Sequence, residues 1–350
     1  MMDSLAAVQM TAENAQTMVD VYMSATKRGV GHHDIYDFPG RLDRLLQEKV
    51  TVNPVFKKLA EFGCMESWDG DNGLGELVCS FIMDRAIALA QTNGIGFCAA
   101  RNSNHFLAGA PYIIQAAQAG CVGLIIAKGP PNMGVPGSAG SVIGHSPMAF
   151  GFPTHEDWPV MMDICLAYAS IGQLNQRVKE GKTVPPWWGI GPDGDSTLDP
   201  AVLLKGMRYP IGEHKGFGLA LLCELLTGVL SSGLVLNQKE DENGLRNITS
   251  HTALAIKADA LMDSQTFLDR SSTMIERIKE LSPDIHIPGS QSYHEKMIFE
   301  RTQSIEISEE LFNKIHEKAG ALNIRGLQPY HNRKSYKEKV WIQQVQGLFE

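Results

Sequence analysis

Residues 112–127 read YIIQAAQAGCVGLIIA. An alanine-rich run at helical spacing, Tyr112 to Ala119, is stopped by Gly120. Cys121 to Ala127 follows as a short continuous apolar run, the pattern of a strand buried on both faces. A helix feeding directly into a buried strand is the unit of an α/β architecture, and that class is expected here. Upstream, residues 11–28 carry Ala15, Met18, Val19, Tyr22 and Ala25 at helical spacing until Gly29 and Gly31 intervene. Leu77 to Gln91 reads as a second helix, and FCAARNSNH (97–105) starts apolar and turns polar, as a strand does when its carboxyl end delivers side chains to a site. Downstream, WPVMMDICLAYA (158–169) contains a strand with Asp163 inside it. YPIGEHKGFGLALLCELLTGVLSSG (209–233) becomes a helix from about Gly216 to Leu230, apolar on most faces and therefore expected to be buried, with Lys215 at its start among loops. Residues 264–281 and 308–319 again have helical spacing, and 238–250 reads as a polar loop.

The whole chain of 350 residues, 43% hydrophobic and 20% charged, suits one large domain or two coupled ones. A formal charge of -8 and a pI near 5.8, with no basic stripe, argue against nucleic acid as a partner. No apolar run approaches the roughly 20 residues needed to cross a bilayer, and MMDSLAAVQM lacks the pattern of a secretory signal. The expected compartment is the cytosol, with no membrane partner. Six scattered cysteines, Cys64, Cys79, Cys98, Cys121, Cys165 and Cys223, form no C-x-x-C and read as buried thiols.

Two polar or backbone-rich stretches draw attention. RGVGHHDIYDFPGRL (28–42) packs His32, His33, Asp34 and Asp37 together, a grouping open to three readings: metal site, proton relay or polar turn. KGPPNMGVPGSAGSVIGHSPMAFGFP (128–153) is rich in glycine and proline, which suits either a surface loop or a rigid backbone wall around a ligand. Asp163 could orient a histidine or cap a turn, and Lys215 could bind a phosphate or an acidic substrate. Arg41 lies one helical turn beyond Asp37 and could pair with it. No G-x-G-x-x-G follows an early strand, so an ordinary dinucleotide fold has weak support, and no H-E-x-x-H completes a metal set.

Taken in order, RNSNHF (101–106), AGAPY (108–112), IGHSPMAFGFP (143–153), VMMDICLA (160–167), DSTLDP (195–200) and EHKGFGLALLCELLTGVLSSG (213–233) resemble the type 2 malate and L-lactate dehydrogenase family over roughly residues 10–320. This family also holds ureidoglycolate, sulfolactate and diketogulonate enzymes and cyclic-imine reductases. The resemblance implies a non-Rossmann NAD(P)-binding fold, NAD as cofactor with NADP also open, a homodimer, and reversible reduction of a small 2-oxo acid or related imine. It implies a first domain over 1–115, a cofactor domain over 116–284, and a return to the first domain over 285–350. The early family motif, roughly G-V-D-S-H-G-x-x-R-x-P, laid from Gly29 puts the proton-transferring histidine on His33 and the proline on Pro39. With Asp163 as its carboxylate, His33 forms the expected catalytic set. His32, Asp37, Arg41 and His145 are the expected substrate contacts. His105, Gly144, Ser146, Pro147, Lys215 and Gly216 are the expected cofactor contacts, and no metal is expected.

The chain departs from the family pattern at Gly31, His32, Asp34 and Asp37, where aspartate, serine, glycine and arginine are usual. His145 and Ser146 stand on threonine and asparagine positions. An aspartate at 37 would repel a substrate carboxylate, so the expected activity is a dehydrogenase with altered substrate preference. The alternatives are a cofactor-binding relative without turnover and a metal-dependent hydrolase or lyase built on His32, His33 and Asp34. The tail, IRGLQPYHNRKSYKEKVWIQQVQGLFE (324–350), is expected to pack across a subunit interface through Tyr336, Trp341, Ile342 and Phe349, or to form a mobile arm.

Overall fold

The computed structural model describes residues 1–31, 33–138, 140–240, 244–326 and, for the backbone alone, 339–343. The chain divides into two compact units, 1–53 with 273–350, and 54–272.

The first unit opens with α1 (Met2–Ala7), α2 (Ala12–Thr26) and α3 (Phe38–Leu46). Thr11 caps α2 by accepting the Asn14 N–H on its side chain, and Ala15, Met18, Val19, Tyr22 and Ala25 form its buried face, as their spacing requires. The unit closes with α10 (Ser290–Thr302), β10 (Ser304–Ser308), α11 (Glu309–Ala321) and β11 (Lys339–Gln343). Ile35 packs with Ile307 and Leu311, so the segment following α2 is seated on this late part of the chain. Part of the tail is thus a strand, antiparallel to β10 with Trp341 opposite Glu306 and Ile342 opposite Ile305. Tyr336 and Phe349 lie outside the described residues.

The second unit is built on a seven-stranded sheet. Its strands are β1 (Lys57–Phe62), β2 (Met65–Gly73), β3 (Ile95–Ser103), β4 (Cys121–Lys128), β5 (Met148–Phe152), β6 (Val160–Ile164) and β9 (Thr249–Lys257), in the order β1-β2-β3-β9-β4-β5-β6. Only β2 and β3 run parallel; every other pair in this sheet is antiparallel. A doubly wound parallel sheet is therefore not the basis of this α/β fold. α4 (Gly75–Asn93) packs on β3 and β9, and α5 (Ala110–Gln118) on β4 and β5. Gly96 permits the first contact, because a Cβ there would meet the Ala86 carbonyl oxygen at 2.0 Å. Beyond the sheet come α6 (Ile171–Lys179), the short strands β7 (Gly189–Ile190) and β8 (Met207–Arg208), which pair with each other, and α7 (Pro200–Leu203) between them. α8 (His214–Glu224) continues into a π-helical turn at Leu225–Val229, and α9 (Ser264–Leu281) carries the chain onward.

The domain boundaries expected at 115/116 and 284/285 fall within α5 and between α9 and α10, whereas the compact units part at 53/54 and 272/273. The reason is β9, which hydrogen-bonds to β3 on one edge and β4 on the other, tying residues 57–103 into the same sheet as 121–164. The helix beginning near residue 214 also differs from expectation. Its small residues, Gly216, Ala220, Cys223 and Gly228, are buried, but Leu219, Leu222, Leu225 and Val229 remain about half exposed. Small side chains let one face approach the sheet, and the leucines are thereby turned outward. All six cysteines are free thiols, four of them buried and Cys64 and Cys165 partly so.

Candidate active site

In the first unit, the turn after α2 is shaped by two left-handed glycines, Gly29 at φ +68° and Gly31 at φ +81°. The second explains a departure from the family motif, since an aspartate would be strained in that backbone. Asp34 is buried and completes the turn: its Oδ2 accepts the Gly31 N–H at 2.7 Å and its Oδ1 accepts the Tyr36 N–H at 3.0 Å. Thr26 Oγ1 accepts the Ile35 N–H at 3.1 Å and donates to the Tyr22 carbonyl at 2.7 Å, fixing the turn to the end of α2. Both Asp34 oxygens thus serve the turn, which argues against the metal grouping with His32 and His33; His32 itself lies outside the described residues.

The turn presents His33, whose Nδ1 lies 3.2 Å from Asp37 Oδ2, one helical turn away. Both side chains are partly exposed, 32% and 42%. A carboxylate at Nδ1 orients the imidazole ring. Asp37, an expected substrate contact, lies beside His33. Arg41 is buried within α3, and Pro39 sits in that helix's first turn.

In the second unit, the polar end of β3 is a hydrogen-bonded platform. Arg101 Nε and Asn102 Nδ2 donate to Asp69 at 3.1 and 3.0 Å. Asn104 donates to the Asn72 and Gly73 carbonyls, each at 3.0 Å, and accepts from Asn247 Nδ2 at 3.0 Å. Beneath it His251 is fully buried, its Nε2 2.9 Å from the Asn104 carbonyl oxygen and 3.0 Å from Ser103 Oγ, its ring stacked on Phe106. Burial holds the His251 pKa down at about 4. The imidazole is therefore neutral at physiological pH and donates from Nε2 to the carbonyl. His105, by contrast, is exposed, and its Nδ1 accepts the Leu107 N–H at 3.2 Å.

Asp163, on β6, accepts the Gly109 and Ala110 N–H groups at 2.7 and 3.1 Å, so it holds the amino end of α5. This is the capping use weighed for it from sequence. The glycine-rich wall is pinned at its middle, where Met133 and Ile143 exchange backbone hydrogen bonds, and it ends in β5. His145 N–H donates to Asn132 Oδ1 at 2.9 Å, and the Asn132 side-chain amide holds the ring at Nδ1, with Nδ2 2.7 Å and Oδ1 3.1 Å from it. Gly144 and Ser146 are buried and Pro147 half-buried, with Ser146 Oγ donating to the Gly144 carbonyl at 3.2 Å. Lys215 is exposed in the first turn of α8, followed by buried Gly216, where a Cβ would meet the Ile211 carbonyl oxygen at 2.2 Å.

Several residues central to this unit were not singled out from sequence. Lys128, buried at the end of β4, donates to Glu224 Oε1 at 3.0 Å and to the Leu234 carbonyl, while the same carboxylate oxygen accepts the Leu236 N–H at 2.7 Å. His251 and Arg208 are likewise buried. Their burial is set by distant chain segments, so the only local sign was polarity inside an apolar run, HTALAIK for His251 and MRYP for Arg208.

A mixed, largely antiparallel sheet with a backbone-rich wall and a histidine–carboxylate turn defines an α/β class apart from Rossmann dehydrogenases. The chain belongs to the malate/L-lactate dehydrogenase family, whose type 2 model matches residues 1–316. It is 30% identical over 275 residues to a malate dehydrogenase of Pyrococcus horikoshii, covering 76% of each chain. It is 30% identical over 257 residues to a 2,3-diketo-L-gulonate reductase of Citrobacter koseri, covering 73% of this chain and 76% of that one. Among solved structures, malate dehydrogenase from Entamoeba histolytica superposes with a TM-score of 0.87 at 25% identity, covering 94% of this chain and 96% of that one.

Proposed function

We propose that the protein is an NAD(P)-dependent oxidoreductase that interconverts a 2-oxo and a 2-hydroxy acid, or a related imine and amine, with a substrate preference shifted by its own polar residues. The single observation that carries this reading is the His33–Asp37 pair, an imidazole and carboxylate 3.2 Å apart in a turn shaped by the two Asp34 oxygens. The second unit fits a dinucleotide without a Rossmann loop. It offers exposed Lys215 beside Gly216, where the close-packed backbone leaves no space for a side chain, and the pinned wall ending at Gly144, Ser146 and Pro147.

When bound, the reduced nicotinamide supplies the hydride that goes to the substrate's carbonyl or imine carbon. His33 gives a proton from Nε2 to the oxygen or nitrogen that gains the electron pair, and takes it back in the reverse direction. Asp37 stabilises the imidazolium through Nδ1. Asp163 acts on α5 through the Gly109 and Ala110 amides. His145 turns its ring toward a substrate polar group, with His105 and Lys215 on the cofactor. The proposed assembly is a homodimer, supported by the half-exposed Leu219, Leu222, Leu225 and Val229, an apolar surface of the kind a partner covers. A cytosolic setting accords with six free thiols.

Steady-state assays across 2-oxo acids, sugar-derived oxo acids and cyclic imines, with NADH and NADPH, test the reading. Turnover of at least one with one cofactor is the expected result. Saturable cofactor binding without any turnover would identify a non-catalytic relative instead. Asp37→Arg is expected to raise kcat/KM on a simple 2-oxo acid only if residue 37 faces substrate; loss of turnover is expected if its work is to hold His33.

A further inference from the structure

Arg208 is 4% exposed, in β8, and no carboxylate pairs with it among the described residues. Its backbone is held on two sides. It pairs with Gly189 of β7 on one side and, on the other, bridges Met133 by accepting the Gly134 N–H at 3.0 Å. Of its guanidinium donors, Nη1 reaches the Ala169 carbonyl at 3.0 Å. Burial is the main influence on the guanidinium, and the nearby Cys165 thiol, its pKa pushed up chiefly by burial, is neutral and offers no counter-charge. An arginine does not shed its proton in a protein, so a full positive charge is enclosed here with one neutral acceptor.

Lys128 shows what this unit does when it buries a cation for structure: it supplies Glu224. Arg208 has no such partner, and a single carbonyl acceptor does not require a guanidinium. The strip bonded to it at Gly134 is the one that carries Asn132 and His145. We propose that Arg208 is an oxyanion-binding residue, whose remaining guanidinium edge takes a carboxylate or phosphate of an incoming ligand by a two-point contact. The identity of that ligand, acid substrate or cofactor phosphate, rests on the oxidoreductase reading; the presence of an anion site does not. The charge is balanced only when the ligand is bound, which makes Arg208 a source of selectivity against neutral analogues.

Thermal melts and binding titrations of the full chain and its Arg208→Leu and Arg208→Lys variants test this. Inorganic phosphate and oxalate are expected to raise the melting temperature of the unaltered protein by about 2 °C at saturating concentration, and not that of Arg208→Leu. Without anion, Arg208→Leu is expected to melt no lower than the unaltered protein, because an unbalanced charge has been removed. Arg208→Lys, which keeps the charge and loses the fork, is expected to bind the anion about tenfold more weakly, and it decides the matter should the leucine variant not fold. Loss of the oxalate response with NADH and NADPH affinity intact assigns the site to a carboxylate; loss of cofactor affinity assigns it to a phosphate. An anion response equal in all three proteins, or absent from the unaltered one, overturns the proposal, as does a leucine variant that is destabilised yet responds normally. Failure of every oxo acid to turn over, with the anion response intact, would remove the oxidoreductase reading and leave the site standing.

Discussion

His33 and His251 are the same side chain in opposite surroundings. His33 stands in a glycine-shaped turn, partly open to solvent, with a carboxylate on one nitrogen. His251, on β9, is enclosed against the end of β3, stacked on Phe106, donating to a backbone carbonyl, and held neutral by burial. A proton-transfer group must reach both protonation states near neutral pH at little cost, and a carboxylate partner and solvent access lower that cost. A structural histidine is most useful when it never changes state, which enclosure ensures. The difference lies in the surroundings each segment builds, not in the residue.

The sharpest way to break this contrast is to delete His33. His33→Ala is expected to lower kcat by about 10²–10⁴-fold on the best substrate, the scale of general acid–base catalysis, with the melting temperature nearly unchanged. Intact turnover would mean that the proton comes from elsewhere. The next effect is read in stability against pH. With its folded pKa near 4 and an ordinary value of 6.5, His251 refuses a proton that the unfolded chain accepts between those limits. Its contribution is fully present above pH 6.5 and is lost as pH falls through 4, by about 3 kcal/mol. Denaturant titrations at pH 7 and 4.5 should show that loss in the unaltered protein and a smaller one in His251→Phe; equal slopes would place the acid sensitivity in another group.

Smaller effects separate the two carboxylates. Asp37→Asn should cost about tenfold in kcat and shift the pH–rate profile, because it acts through His33. Asp163→Asn should mainly lower stability, by about 1 kcal/mol, through two weakened backbone hydrogen bonds at α5. A pH–rate profile that moves with Asp163 and not with Asp37 would exchange their roles.

Much of this frame was legible in the chain itself, because a strong local period survives folding. α2, α4, α5 with β4, α9 and α11 each present one apolar face or one continuous apolar run, and their bounds follow. Other elements depend on partners far away. β9 reads as an ambiguous apolar run until β3 and β4 flank it, α3 opens with proline and glycine, and α10 has no clear apolar stripe. The site divides in the same way. His33 follows from a motif, whereas the Asp37 contact depends on how the turn leads into α3, and the isolation of Arg208 depends on segments brought together from residues 134, 169 and 189.

The place of β9 has a consequence for how a new chain matures. During synthesis β1–β3 and β4–β6 emerge as separate half-sheets, and the strand that joins them is complete only when residue 257 has left the ribosome. Until then each half presents an open edge of unsatisfied N–H and C=O groups, the template on which chains aggregate. The last strand of the sheet to be translated is therefore the one that seals both edges, and a nascent chain stalled before it is the form most in need of a chaperone's protection.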